Sequence, residues 1–279
     1  RGAERASGYR QAVARMLDDP DSVVRDAAVR ALANNPATNA TAVLGAKLRS
    51  AADSKLKVAL VHALQFRADW TAVCQALGGQ PLFDRDPAVA AAAARAFGRV
   101  NSPQTVLRFL ADARLKAQGE VRFRISDACL QCADRVLQQG DVREAAAVYK
   151  ELNSPQEPRP IRMAALQGVL NTAGDQAAPM ILEVLAGDDA DARDVAVGHV
   201  ARLKGEPVKA LAAGLARLPP AGQITLLGAL SWRRDRAALP GVLAAANSAD
   251  EKVKAAALKT LGGVGDASVV PLLVETMLQ

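Results

Sequence analysis

The sequence predicts an all-α chain built as a row of about eight helical hairpins, and three observations predict it. Half of the 279 residues are hydrophobic and 60 are alanine, yet only nine are aromatic, a composition suited to closely packed helices with small side chains. An apolar anchor returns at Val24, Leu56, Val89, Val121, Ile161, Ala192, Gly222 and Val253, at spacings of 32, 33, 32, 40, 31, 30 and 31 residues. Breakers fall between the periodic segments, at Asn34-Asn35-Pro36, Asn101-Ser102-Pro103, Gly140, Gly174, Gly187, Gly205, Pro219-Pro220 and Gly262-Gly263. About seventeen helices and no strand are expected.

The elements follow from position relative to the anchor. Three residues before it stands Asp21, Asp53, Asp86, Asp189 or Asp250, where a carboxylate can accept a hydrogen bond from an orphan backbone N–H and so start a helix. One residue after it stands a base in six repeats: Arg25, Lys57, Arg122, Arg162, Arg193 and Lys254. Four and eight residues on come small or apolar side chains, as in Ala28 and Leu32 or Leu60 and Leu64, which makes one buried stripe. Eighteen residues on, Pro179, Pro240 and Pro271 occupy a second apolar-periodic segment, so each repeat is a helical pair whose second member is expected to bend at proline.

These residues resemble the HEAT family and its phycobilisome-lyase-type variant, whose hairpins carry an Asp-Pro-x-Val-Arg signature. Asp19-Pro20-Asp21-Ser22-Val23-Val24-Arg25 and Asp86-Pro87-Ala88-Val89 match it, and Leu261-Gly262-Gly263-Val264-Gly265-Asp266 before Val270-Pro271-Leu272-Leu273 resembles its turn and following helix. The resemblance implies a right-handed α-solenoid over residues 1–279 as a single domain. It is nearly silent on function, because the scaffold serves unrelated tasks.

Two departures are visible. The Gly222 repeat lacks both the acid and the base, and the interval from Val121 to Ile161 is about eight residues too long. In that interval Ala133 to Leu152, with Gly140, Ala145, Ala146 and Tyr149, looks like a tetratricopeptide hairpin. Helix 120–138 is expected to be the longest, the Pro158/Pro160 loop to be irregular, and the superhelix to change pitch there.

Charge narrows the partner classes. The net charge is +6, but residues 171–200 carry −5 and residues 201–260 carry +6, an acidic block beside a basic one. A continuous basic stripe with interleaved aromatics, the usual footprint of a nucleic-acid binder, is not visible. The hydrophobic positions are broken by charges throughout, which excludes a membrane-spanning apolar helix. The chain opens on Arg1, a start that fits either a removed signal peptide or an excised domain, and the compartment and oligomeric state are left unassigned. Val269 to Leu278 reads as an apolar-faced helix with nothing to cover it, so the natural chain is expected to continue, as a module of a longer bacterial-type polypeptide.

Chemistry-bearing residues are sparse. Cys129-x-x-Cys132 falls at core offsets and is not followed by histidine, and with Cys74 the set suits neither a disulfide framework nor zinc. His199 lies on the core stripe and is expected to be packed, whereas His62 is expected on the open face. Walker, nucleophile-elbow, metalloprotease and dinucleotide motifs are absent, so the expectation is a chain that is not an enzyme and takes no cofactor. HEAT-type hydroxylases with a di-iron centre need several His-Glu pairs, against two histidines here. HEAT-like alkyl-base glycosylases use Trp, Arg and Asp, which Trp232-Arg233-Arg234-Asp235-Arg236 supplies in composition, crowded into one turn. Lyase-type relatives stay open.

The expected functional surface comes from helical geometry. Offsets zero, four, seven and eight face the core, and offsets two and six point away. In HEAT-like stacks these helices line the concave side, which implies a groove bearing His62, Arg95, Phe123, Asp127, Met163, Gln167 and Ile224. An apolar stripe of Phe123, Met163 and Ile224 with a polar border suits a protein or peptide partner. The alternatives are that the long repeat buries Phe123 and Met163, or that nucleic acid binds the basic segment 201–260 through Trp232, Arg233, Arg234 and Arg236. The recurring Asp and Arg are expected to form a ladder between neighbouring repeats rather than a binding track.

Overall fold

The computed structural model describes residues 12–37, 39–67, 70–78, 80–99, 103–203, 205–271, 273 and 274. Among them are fifteen α-helices, a helical stretch at 12–16 and five short 3-10 turns, with no strand. The helix expected over Val269 to Leu278 lies largely outside the described residues.

The chain divides into two compact units at Ile161/Arg162. The first holds α1 (Ser22–Ala33), α2 (Asn39–Ser50), α3 (Ser54–Leu64), α4 (Trp70–Leu77), α5 (Pro87–Gly98), α6 (Pro103–Lys116), α7 (Gly119–Gln138) and α8 (Val142–Leu152). The anchor-bearing helices α1, α3, α5 and α7 pack in succession as one layer, and α2 packs on α4 in a second. The second unit begins in the first turn of α9 (Arg159–Thr172) and continues through α10 (Ala177–Ala186), α11 (Ala190–Val200), α12 (Glu206–Gly214), α13 (Pro220–Arg233), α14 (Leu239–Ala245) and α15 (Glu251–Val264). There α11, α13 and α15 form the anchor layer, and α10, α12 and α14 the other.

Local chemistry explains where the helices start. All five predicted aspartates cap: Asp21, Asp53 and Asp86 accept from the N–H two residues on at 2.9, 3.0 and 2.8 Å, and Asp189 and Asp250 each accept from two successive N–H groups. Asp141, which lies outside the repeat pattern, caps α8 in the same way. The prolines correct an expectation. Pro179 is the third residue of α10 and Pro240 the second of α14, each after a 3-10 turn, so they sit in a first turn that has no intrahelical donor to lose and do not bend the helix.

Burial follows the offsets. Leu60, Ala93, Phe97, Ile125, Ala165, Ala196, Leu226, Leu230 and Ala257 are all fully buried. The odd anchor, Gly222, has a reason in packing. A Cβ built there would lie 2.5 Å from the carbonyl oxygen of Leu185, so α13 meets the end of α10 backbone to side-chain-less backbone.

The long repeat is held by a buried ion cluster. α7 is the longest helix described, at 20 residues, and the loop after α8 carries Glu157, whose side chain is fully buried. Its carboxylate accepts from Arg114 Nη1 at 2.7 Å, Arg122 Nη2 at 2.6 Å and Ser126 Oγ at 2.6 Å, while Arg114 also pairs with Glu151. Burial alone would raise the Glu157 pKa, but these hydrogen bonds and the Arg114 charge outweigh it and hold the carboxyl below the ordinary glutamate range. The hairpin itself is locked by Tyr149, buried, whose hydroxyl donates to Asp134 at 2.5 Å.

Of the expected ladder of recurring Asp and base, the first unit shows one rung, Arg25 to Asp53, while Lys57 and Arg122 reach other acids. Arg25 Nη2 stands 3.7 Å from Asp53, Lys57 Nζ 2.7 Å from Asp84, and Arg122 contacts Glu157, each base reaching the following repeat. A second device runs backward. Arg67, eleven residues past its anchor and buried, donates to the carbonyls of Leu32, Ala33, Asn35 and Ala37 and to Thr41 Oγ1, closing the C-terminus of α1. Arg233, at the same offset in the second unit, donates to the carbonyls of Val200 and Ala201 at 3.2 and 2.8 Å, closing α11.

Candidate functional site

Offset four is buried in every anchor helix and offsets zero, seven and eight in most of them, which leaves offsets two and six toward solvent. None of the sixteen residues at those two offsets is buried; Asp26, Arg30, His62, Arg95, Asp194, Gly198, Gly228, Ala255 and Lys259 are exposed and the rest are half-buried.

In the first unit, α1 and α3 bound an open cleft of about 390 Å³ whose rim includes Asp26, Arg30, His62 and Phe66. Arg95 is exposed on α5. On α7, Phe123 is half-buried beneath the Arg124 guanidinium, 5.5 Å from the ring centroid, and Asp127 accepts from Gln131 at 2.9 Å. In the second unit, Met163 and Gln167 are half-buried on α9. The Gln167 amide donates to Asn171 at 3.1 Å and lies 3.4 Å from His199 Nδ1. Ile224 is partly buried against the unit's hydrophobic core.

The Trp232 turn behaves differently. Trp232 is 92% exposed and walls an open cleft of about 780 Å³ between α11 and α13. Arg233 is occupied in capping α11 and pairs with Asp235 at 3.2 Å, whereas Arg234 and Arg236 are exposed. Arg234 ends α13 in a left-handed conformation, φ 55° and ψ 32°. A third cleft, about 570 Å³, lies between α12 and α14 in the other layer and is lined mainly by Ala, Pro240 and Gly241.

Sequence reasoning missed Phe66, which is 74% exposed. A signal for it exists: Phe66-Arg67-Ala68-Asp69 and Trp232-Arg233-Arg234-Asp235 repeat the same aromatic-Arg-x-Asp order ten residues past their anchors.

The remaining reactive groups are structural. His199 is buried as expected, and its pKa is lowered by burial and by the Arg202 charge. Burial pushes Cys129 up to about 12 and Cys132 up to about 11, and Cys132 donates weakly to the Phe97 carbonyl at 3.6 Å. No group of three or more His, Cys, Asp or Glu side chains able to hold a metal occurs among the described residues. No described helix is long and apolar enough to cross a membrane.

No family model and no curated protein sequence matches the chain. Solved structures do. The structure of Kap121p aligns over 96% of this chain and 39% of its own length, with 12% identity and a TM-score of 0.51. The chain has a HEAT-like α-solenoid fold. The solenoid also matches human deoxyhypusine hydroxylase in complex with glycerol, at 22% identity over 94% of this chain and 98% of that one, TM-score 0.44. It matches as well the complex of CpcE and CpcF of phycocyanin lyase from Nostoc sp. PCC7120, at 18% identity over 84% and 92%, TM-score 0.41. These two correct one expectation. A hydroxylase and a lyase stand among the structures similar to this solenoid, so the lack of a familiar catalytic motif does not make the chain a non-enzyme.

Proposed function

We propose that the solenoid is a scaffold that binds a protein or peptide through the outward faces of its anchor helices. One observation supports this reading most: no residue at offsets two and six is buried in any repeat, while offset four is buried in all eight and the other core offsets in most. Exposed positions at these offsets, such as His62, Arg95 and Lys259, lie outside the core and are open to recognition. In the first unit Phe123 is its half-exposed apolar anchor, with Arg95 and Asp127 as polar positions at the same offsets, and in the second unit Met163 is the half-exposed apolar residue. The separate appearance of an assembly, CpcE with CpcF, among the similar structures agrees with a protein partner.

The test places the photo-crosslinking residue benzoylphenylalanine at Arg95 and, as a control, at Arg108, an exposed position on the other layer. A discrete adduct from Arg95 but not Arg108, lost in Phe123→Ala, supports the reading. Unchanged capture by that variant rejects Phe123 as part of the site.

A further inference from the structure

The two clefts with exposed aromatic walls are the same feature built twice. In the first unit the cleft uses offsets five, six and nine of α1, which are Val29, Arg30 and Ala33, and Phe66 at offset ten of the next repeat. In the second it uses offsets five, six and nine of α11, which are Val197, Gly198 and Ala201, and Trp232 at offset ten. Each aromatic is followed by an arginine that is consumed in closing the preceding helix, so the arginine fixes the turn and the ring is held outside the core. A large ring kept in water next to a small-residue floor contributes nothing to the packing of the unit.

The second cleft carries two further marks. Arg234 and Arg236 line the same cleft as Trp232 and are exposed, inside a segment of net charge +6, with Asp266 near enough to Arg236 to feel its charge. Arg234 also occupies a left-handed backbone conformation that glycine or asparagine would adopt more readily. The side chain is therefore retained where a different residue would be easier to fold. The floor, Val197, Ala201 and Ala229, is apolar.

From the proposed scaffold role, on which this step rests, we infer that the Trp232 cleft binds a short acidic peptide segment: one apolar side chain lies against Trp232 and the small-residue floor, and flanking Asp or Glu carboxylates pair with Arg234 and Arg236. Charge complementarity selects the acid, and the ring supplies the contact area. A nucleic-acid strand fits less well. It needs a run of cations along its phosphates, whereas Asp235 lies in this cleft and the anchor helix α11 beside it presents Asp194 to solvent.

The experiment uses the full chain and fluorescence anisotropy with three labelled probes: a twelve-residue peptide of Asp and Glu around a central Leu pair, the same peptide with Lys for every acid, and a twelve-nucleotide oligothymidine. The acidic peptide is expected to bind and the Lys peptide not. Trp232→Ala and Arg236→Glu should each weaken binding about tenfold or more, with helix content and melting temperature unchanged by Trp232→Ala. Arg234→Gly should raise the melting temperature while weakening the peptide, a combination that a purely structural arginine would not give. Raising salt from 50 to 200 mM should weaken the peptide only several-fold, because two cations are involved.

Equal binding by Trp232→Ala overturns the inference, as does absence of peptide binding at millimolar protein. Tighter binding of the oligothymidine, lost in Trp232→Ala, also overturns it and assigns the cleft to nucleic acid. The scaffold reading is judged separately. If crosslinking from Arg95 persists while the acidic peptide fails, only this inference falls; if Trp232-dependent peptide binding holds while Arg95 captures nothing, the outward-face reading falls instead.

Discussion

Replacing Glu157 by alanine should destabilise the first unit more than any surface change, and the size of the loss can be worked from its surroundings. Its side chain has no solvent exposure and accepts from two guanidinium groups and one hydroxyl, all within 2.7 Å at their shortest. Removing it leaves Arg114, 7% exposed at the side chain, beside a second guanidinium, Arg122, with only the outlying Glu151 for compensation. Breaking a buried pair by removing one member costs about 3–5 kcal/mol, which lowers the urea midpoint by roughly 2 M at a slope of about 2 kcal/mol per molar. Changing Arg114 and Arg122 to Met together with Glu157→Leu removes all three charges that meet there and should recover part of that loss, because a packed apolar replacement needs no desolvation. Urea unfolding followed by far-ultraviolet circular dichroism measures all three proteins. Since the folded-state pKa of Glu157 lies below its unfolded value, its contribution is complete above about pH 4.3 and fades as the pH falls through the folded value. The gap between wild type and Glu157→Ala should therefore narrow from pH 7 to pH 3. A midpoint unchanged at pH 7, or a gap that widens on acidification, would refute the reasoning.

Other expected outcomes are more local. Arg67→Ala should cost about 2–4 kcal/mol by stranding the carbonyls at the end of α1, and Arg67→Lys should not rescue it, because an ammonium cannot span five acceptors; faster amide exchange near residues 33–41 is the readout. Gly222→Ala should destabilise by about 1–3 kcal/mol through overlap with the Leu185 carbonyl, whereas Gly228→Ala, which meets nothing within 4 Å, should stabilise by about 0.5–1 kcal/mol through helix propensity, both read from thermal melts. Cys129 and Cys132 should resist iodoacetamide at pH 8 in the folded protein and react on unfolding, since burial raises both thiols well above that pH; rapid native alkylation of either would contradict their placement.

What the sequence made legible is local in origin. Asp21, Asp53, Asp86, Asp189 and Asp250 bond to amides two or three residues away, and the core offsets follow from the turn of a single helix, so a one-dimensional pattern contains both. His199 and Cys129 could be placed in the core for the same reason. Long-range partners were not legible. Nothing near Glu157 in sequence announces that Arg114 and Arg122 converge on it, and nothing near Arg67 points to carbonyls some thirty residues earlier. The prolines misled because periodicity placed them within an apolar segment without showing that a 3-10 turn delays the start of α10 and α14. At the candidate site, the outward offsets were legible, but the prominence of Phe66 over Ile224 was not. That difference depends on how far each helix end projects and on what its neighbour leaves uncovered.

The paired stitching has a consequence for the order of the hairpins. Arg25 and Lys57 reach forward to acids at Asp53 and Asp84, while Arg67 and Arg233 reach back to particular carbonyls. Exchanging two neighbouring hairpins would preserve length, helicity and apolar stripe, yet it would strand a cation on one side of the junction and an acceptor on the other. The hairpins of this chain are therefore not interchangeable beads. Each seam carries its own address, and a shuffled or shortened version should be cut only where both partners of a seam remain on the same piece.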